Sequence, residues 1–181
     1  MRWVFFLILA YLATVVQTSL GHMLVLWDGL VSPDLLATVA VFFALTLRSS
    51  TDAALAAWVL GTLAELTAGG GPAVAVTIGP MGVCYALAGW LVFQLRELFF
   101  RERIVTRVLL GLVFALLAHV LWVTTQSLLA VSEMTWSAYG RTVGQAIALA
   151  VYTALITPVV CGGLSRLQRV FVSPPAGRSR R

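Results

Sequence analysis

The sequence predicts an all-α, polytopic integral membrane protein with six transmembrane helices and both termini in the cytoplasm. Three observations predict it. Of the 181 residues, 60% are hydrophobic and only 10% are charged, whereas about a quarter of the residues in ordinary soluble domains are charged. The chain also contains six apolar runs separated by short polar breaks, and its arginines alternate between the two sides of those runs. A soluble protein needs more polar side chains than this to cover its surface. We therefore expect lipid to cover most of the surface of this protein.

The apolar runs lie at Trp3–Leu20, Leu35–Leu47, Ala53–Ala68, Val74–Phe100, Ile104–Val131 and Tyr139–Leu164. A helix needs about 20 residues to cross a hydrocarbon core of about 30 Å. The fourth, fifth and sixth runs are long enough, whereas the second and third are short. Pro33 and the apolar residues 24–30 precede the second run, which indicates a broken or tilted helix rather than one clean span.

Both ends of the chain fit this arrangement. The first run follows Met1-Arg2 and superficially resembles a signal peptide, but no convincing small-x-small cleavage site follows it. We therefore expect a retained first helix. Residues 1–171 form the predicted transmembrane domain. Residues 172–181 combine proline, small residues and arginine, a composition that predicts a disordered basic cytoplasmic tail.

Arginine positions predict the orientation. Eleven of the twelve arginines fall on one side of the six runs, and Arg141 alone falls on the other. Cytoplasmic loops of membrane proteins carry an excess of basic residues, so the side with eleven is predicted to be cytoplasmic. The outer side then holds four acidic residues, Asp28, Asp34, Glu65 and Glu133.

Small residues at four-residue spacing mark candidate helix contacts. In the third run, Ala53, Ala57 and Gly61 recur on one helix face together with Glu65, a pattern that permits close helix packing. Glu65 lies near the predicted outer end of its helix. It is either a solvated or hydrogen-bonded structural carboxylate or a contact to a neighbouring helix or partner.

Two further runs carry the same kind of pattern. Gly82 and Gly89 mark one face of the fourth run, and Gly140 and Gly144 mark one face of the sixth. Either pair permits close approach of another helix backbone. For the sixth run, packing inside the protein is favoured over packing against a partner, and both remain open.

Four polar residues inside the apolar runs form a predicted intramembrane polar network: Gln17, His119, Gln126 and Gln145. Polar side chains at membrane depth either bond across helices or mark a functional site. For His119, a neutral imidazole bonded to a neighbouring helix is favoured over a proton-transfer role.

The sequence predicts no enzyme, no cofactor and no metal site. It contains neither a Gly-x-Ser-x-Gly nor a His-Glu-x-x-His motif, which are typical of hydrolases and metalloproteases. His22 and Asp28 share a predicted outer loop, but two ligands do not make a metal site. Cys84 and Cys161 lie inside apolar runs, where small packing residues are expected rather than a disulfide. The basic residues are dispersed without interleaved aromatics, so no nucleic-acid partner is predicted.

The order of several motifs resembles a known family. The first run ends near Gln17-Thr-Ser, Pro33-Asp34-Leu-Leu opens the second, and Gly61-Thr-Leu-Ala-Glu65-Leu lies in the third. Pro80-Met-Gly82 begins the part of the fourth run that continues through Tyr85 and Gly89. This series lies within residues 17–89. It resembles the rod shape-determining protein MreD family, and the resemblance of pattern runs nearly end to end.

The resemblance implies a function and a place in the cell. It implies a non-enzymatic scaffold of the bacterial cell-elongation machinery in the inner membrane. Such a scaffold would bind a periplasmic coiled-coil protein like MreC and would link it, with cell-wall (peptidoglycan) synthases, to cytoplasmic MreB-like filaments. Asp34 and the small-residue faces are the expected partner or packing sites. The resemblance also implies a six-helix fold similar to the substrate-binding components of energy-coupling-factor vitamin transporters.

That fold similarity supplies the alternative function. A small-solute, vitamin-like binding subunit of a transporter would line a cavity with Gln17, His119, Gln126 and Gln145. Such a site needs several convergent polar groups in a pocket, and it would require a separate ATP-binding partner.

Overall fold

The computed structural model describes residues 3–20, 32–67, 79–98, 104–129 and 136–171. These residues form six α-helices: α1 (Trp3–Leu20), α2 (Leu35–Thr46), α3 (Ser50–Thr67), α4 (Pro80–Leu95), α5 (Ile104–Leu129) and α6 (Trp136–Phe171). No strand occurs in the described part of the chain. The predicted all-α class and the number of helices are therefore confirmed. The tail 172–181 and the residues His22, Asp28 and Glu133 lie outside the described residues.

Two helices differ in length from their predicted runs. The run at 74–100 was expected to form a full span, but α4 has only 16 residues. It begins after Gly79, whose φ of 129° is not helical, with Pro80 in the first turn. Proline is favoured there because its missing N–H would be unpaired anyway. In contrast, α6 continues through Pro158 to a length of 36 residues, beyond both predicted ends.

Two helical segments are long and apolar enough to cross a membrane, namely Ile104–Leu128 and Tyr139–Leu167. The segments Trp3–Ser19, Leu35–Thr46 and Pro80–Leu95 are shorter apolar helices. By length and composition, these helices indicate a membrane protein.

Helix α2 is the centre of the bundle. It contacts each of the other five helices, while α3 packs along α4 and α5 packs along α6. The nine consecutive residues 36–44 are all buried, so α2 has no exposed face over this stretch. A helix that is apolar on every side belongs in a core. With 12 residues, α2 is about 18 Å long, so the helix alone is shorter than a hydrocarbon core of about 30 Å.

The outer surface of the bundle is rich in exposed apolar side chains. On α1 and α6 they include Val4, Leu7, Ile8, Tyr11, Ile147, Val151, Leu155 and Val159. Large contiguous apolar surfaces are unusual on soluble monomers. This surface agrees with the lipid cover that the composition predicts.

Candidate functional site

Asp34 caps the first turn of α2 and is buried, with 5% of its surface exposed. Its extended backbone (φ −91°, ψ 97°) lets its Oδ1 atom accept the Ala37 N–H at 3.0 Å. This is the usual geometry of an aspartate N-cap. The positive end of the α2 dipole also favours a carboxylate at this position. Asp34, predicted as a partner or packing site on the outer side, therefore lies inside the bundle, where it packs against neighbouring helices.

Three other helices contact the same aspartate. The Tyr85 hydroxyl of α4 donates a hydrogen bond to Asp34 Oδ2. The Asp34 N–H donates to Thr153 Oγ1 of α6 at 3.0 Å. His119 Nε2 of α5 lies 3.3 Å from Asp34 Oδ2. Asp34 thus joins the beginning of α2 to α4 and α5 through its carboxyl group and to α6 through its backbone N–H.

His119 is held from both sides of its ring. Its Nδ1 atom lies 2.9 Å from the Ala115 carbonyl oxygen, one turn earlier on α5. A carbonyl oxygen only accepts hydrogen bonds, so Nδ1 carries the hydrogen in this contact. The histidine is 6% exposed, and its other nitrogen faces Asp34.

Helix α1 adds a fifth group. Gln17 Oε1 accepts the Leu36 N–H at 2.9 Å. The first N–H groups of a helix have no partner within the helix, so Gln17 and Asp34 together satisfy two of them in α2. We refer to Gln17, Asp34, Tyr85, His119 and Thr153 as the α2 N-terminal cluster.

The cluster lies near the middle of the two long helices. Thr153 is 14 residues from either end of the segment Tyr139–Leu167. His119 follows Ile104 by 15 residues and precedes Leu128 by 9. Helix α2 therefore begins well inside the bundle, and its polar first turn is surrounded by side chains from α1, α4, α5 and α6.

The structure divides the predicted polar network. Gln17 and His119 both reach the first turn of α2. Gln126 is partly buried on α5, and Gln145 is exposed on α6. The four residues therefore do not line one interior cavity together. Only Gln17 and His119 belong to the α2 N-terminal cluster, and its other members are Asp34, Tyr85 and Thr153.

Sequence reasoning missed Tyr85 and Thr153 as members of the cluster. Tyr85 lay within the fourth-run motif, and a phenol inside an apolar run needs a partner for its hydroxyl. That need was a usable signal. Thr153 gave no signal, because threonines in apolar helices usually bond to their own backbone.

The glycines of α3 and α4 form a close seam between these helices. A Cβ atom at Gly82 would lie 2.7 Å from the Thr62 side chain, and one at Gly89 would lie 2.7 Å from Ala57 Cβ. At Gly61 it would lie 2.7 Å from Tyr85 Cβ. These three positions, predicted as candidate packing sites, lie where α3 and α4 approach each other.

Glu65 lies on the same helix face as Gly61 and is buried. Its Oε2 atom accepts the Gly79 N–H at 2.7 Å, which ties the end of α3 to the start of α4. Of the interpretations left open, the hydrogen-bonded structural carboxylate agrees with this geometry. A solvated outer charge does not, since only 7% of the residue is exposed.

Gly140 and Gly144 behave differently from the seam glycines. Among the described residues, a Cβ atom at either position would have no neighbour within 4 Å. Both glycines are exposed. The favoured expectation, that the small-residue face of α6 packs inside the protein, is therefore wrong within the described part of the chain.

The opposite end of α2 is capped by arginine. Arg96, at the end of α4, is buried, and its Nη1 atom donates to the carbonyl oxygens of Ala44 and Leu47. A guanidinium complements the negative end of the helix dipole. Short α2 thus has an aspartate at its first turn and an arginine at its last.

The two cysteines, Cys84 and Cys161, are free and buried, as is usual for small packing residues in an apolar helix. No group of three metal-ligating side chains occurs within the described ranges.

Comparisons of the chain with protein-family models, with curated proteins and with solved structures found no match.

Proposed function

We propose that the chain is a non-enzymatic membrane scaffold of the MreD type, with six membrane-crossing segments and both termini in the cytoplasm of a bacterial cell. In this proposal it binds an MreC-like periplasmic coiled-coil protein and cell-wall synthases, and it reaches MreB-like filaments directly or through them. The proposal includes the fold that the resemblance implies, similar to the substrate-binding components of energy-coupling-factor transporters.

The difference between two sets of glycines carries the proposal. The space beside Gly61, Gly82 and Gly89 is filled by neighbouring residues, whereas a Cβ atom at Gly140 or Gly144 would meet none of the described residues within 4 Å. Small residues in a membrane helix let another helix approach closely. The open pair on α6 therefore supports a contact with another protein.

The open glycines belong to a longer stripe. Ile147, Val151 and Leu155 follow them at helical spacing, and all three are exposed. We call Gly140, Gly144, Ile147, Val151 and Leu155 the α6 stripe. In the proposal, this stripe receives the single membrane helix of the MreC-like partner.

The buried polar groups support a packing role over catalysis. Gln17, Tyr85 and Thr153 each form a hydrogen bond with a residue at the beginning of α2. Such bonds across helices fix their positions in the bundle. A rigid bundle with an apolar outer stripe is what a membrane scaffold requires.

Affinity purification tests the proposal. The tagged protein is isolated from its native cells in mild detergent, and bound proteins are identified by mass spectrometry. We expect a single-pass periplasmic coiled-coil protein together with cell-wall synthases. Gly144→Leu should reduce this recovery at least fivefold without loss of folded protein, because Gly144 is exposed and a Cβ atom there meets none of the described residues within 4 Å.

Gly163→Leu is the matched control. Gly163 lies on the same helix and is exposed, and a Cβ atom there also meets none of the described residues within 4 Å. It is rotated by about 100° from Gly144 around the helix. It should leave partner recovery unchanged. Equal recovery with Gly144→Leu and Gly163→Leu would remove the α6 stripe from the proposal, and absence of the coiled-coil partner from wild type would refute the scaffold function.

One observation favours a second candidate, the solute-binding subunit of a transporter. The α2 N-terminal cluster combines a helix beginning inside the bundle with polar groups from several helices, an arrangement that transporters use for substrates and ions. In the same purification, recovery of ATP-binding subunits or of a bound small molecule would support this candidate.

A groove on the surface of the protein is not the solute-binding site that this second candidate requires. It has a volume of about 380 Å³ and is lined by Thr51, Ala54, Leu55, Trp58 and Ala86. None of these residues belongs to the cluster, so a solute held by His119 or Gln17 would bind elsewhere.

A further inference from the structure

We infer that the Asp34–His119 contact is a binding site for a single proton, and that this proton holds the beginning of α2 against α5. The inference goes beyond the scaffold function and does not depend on it. It rests on counting the hydrogens available to the two side chains.

The first step concerns His119. Its Nδ1 atom faces the Ala115 carbonyl oxygen at 2.9 Å and therefore carries a hydrogen. A neutral imidazole has only one ring hydrogen. In the neutral ring, Nε2 would then present its lone pair to the atom that it faces.

The second step concerns that atom. Nε2 lies 3.3 Å from Asp34 Oδ2, which in an ionised carboxylate also presents only lone pairs. Two acceptors at this distance repel each other. The contact becomes attractive when one more proton is present, either on Nε2 as an imidazolium or on Oδ2 as a carboxylic acid.

The third step shows that no neighbour in the cluster supplies this hydrogen. The Tyr85 hydroxyl has one hydrogen, and it is donated to Oδ2 from another direction. The Ala37 N–H is directed to Oδ1. The hydrogen of the Asp34–His119 contact is therefore an additional one taken from water.

Burial favours the protonated form of the pair. With it, Asp34 and His119 together carry no net charge, and without it they carry one negative charge. The pair lies among the middle turns of the two long helices, where an uncompensated charge is costly. The neutral, protonated pair is thus the favoured buried state.

In the described part of the chain, the helices around the pair place no other charged side chain against it. Among the described residues, Tyr85 of α4 is the other titratable group in contact with Asp34, while α1 and α6 present the uncharged Gln17 and Thr153. On α3, the buried carboxylate of Glu65 bonds to the Gly79 N–H instead. The proton state of the pair is therefore set by Asp34 and His119 themselves.

Loss of the proton to bulk water has a structural consequence. The Nε2 lone pair then faces the carboxylate, and the contact between the first turn of α2 and α5 becomes repulsive. The folded protein holds one proton at this pair. An unfolded chain at neutral to alkaline pH holds none there, since free aspartate and histidine release theirs near pH 3.9 and 6.5. Linkage then requires the folding equilibrium constant to fall about tenfold per pH unit above neutrality, until the folded pair also releases its proton.

Spectroscopy of the purified full-length protein in lipid nanodiscs tests the proton count directly. The chain has two histidines, so His22→Asn leaves His119 as the single signal in a ¹⁵N-histidine-labelled sample. Ring nitrogen shifts and the infrared carboxyl band are recorded from pH 5 to pH 10. We expect one proton on Nε2 or on the Asp34 carboxyl at pH 8, where a free histidine and a free aspartate have released theirs, and its loss at higher pH. A bare Nε2 beside an ionised Asp34 at pH 8 would overturn the inference.

A variant pair tests the structural consequence. His119→Gln places an amide N–H₂ near Asp34 that donates at every pH, so the alkaline decline in thermal stability should shrink relative to wild type. Glu65→Gln removes the other buried carboxylate and should keep the wild-type decline. Identical pH profiles for wild type and His119→Gln would refute the role of the proton in holding α2. Because both measurements use the isolated protein, they stand whether or not a partner is recovered.

Discussion

Gly61 lies against Tyr85 so closely that a Cβ atom at Gly61 would be 2.7 Å from Tyr85 Cβ. It would also be 2.8 Å from the Met81 carbonyl oxygen, which belongs to the backbone and cannot rotate away. The missing side chain therefore sets the distance between α3 and α4. Since Tyr85 also donates to Asp34, the same glycine fixes the position of one member of the α2 N-terminal cluster.

Gly61→Ala should therefore destabilise the protein even though it adds a single methyl group. The two helices would have to move apart, and overpacking of this kind costs about 1–3 kcal/mol. The measurement is reversible unfolding of the purified protein in mixed micelles. Gly162→Ala is the control, because a Cβ atom there meets nothing within 4 Å among the described residues. It should be neutral or stabilising by up to about 1 kcal/mol. Equal stability of the two variants would show that the seam is not close-packed.

Gln17 and Gln145 offer a matched pair for the polar contacts. Gln17→Leu removes the acceptor of the Leu36 N–H and leaves that donor unpaired inside the bundle, at a cost of about 1–3 kcal/mol. Gln145 is exposed, so Gln145→Leu should change stability by less than about 0.5 kcal/mol. The same unfolding assay measures both. A larger loss with Gln145→Leu would contradict the division of the predicted network.

The pattern of apolar runs was sufficient to predict the class and order of the helices. It could not predict the exact length of α4. The apolar run begins at residue 74, whereas the helix begins only after Gly79, where the backbone is not helical. The short α2 was predicted from Pro33 and the length of its run. Its burial on every side was not, because a uniformly apolar helix looks the same in sequence whether lipid or protein surrounds it.

The candidate site was predictable only in part. His119 and Gln17 were identified because polar groups in apolar runs require partners. Asp34 was assigned to the outer side, since charge alternation along the sequence gives the side of a loop but not the depth of its last residue. The rotation of α6 was equally inaccessible, so Gly144 and Gly61 carried the same pattern, although Gly61 faces Tyr85 and Gly144 has no neighbour within 4 Å of a Cβ atom in the described part of the chain.

Arg96 should contribute more to stability than the other arginines that are predicted to be cytoplasmic. Arg96→Ala removes the donors to the Ala44 and Leu47 carbonyl oxygens and should cost about 1–3 kcal/mol. Arg96→Lys should recover part of the loss, because an ammonium keeps the charge but not the planar set of donors. Arg48→Ala is the control: Arg48 is exposed, and its removal should cost less than about 0.5 kcal/mol. Both alanine variants remove one positive charge from the same predicted side, so a difference between them reports the cap and not the orientation.

The orientation itself is testable with reporter fusions. Eleven of the twelve arginines are predicted to be cytoplasmic, so green fluorescent protein at the C-terminus should fluoresce and alkaline phosphatase there should be inactive. Phosphatase inserted between α5 and α6 should be active, because that connection is predicted to lie outside. Active phosphatase at both positions would mean that α6 does not cross the membrane, although it contains an apolar segment of 29 residues. Reversed activities would instead preserve the crossing of α6 and overturn the assignment of the arginine-rich side to the cytoplasm.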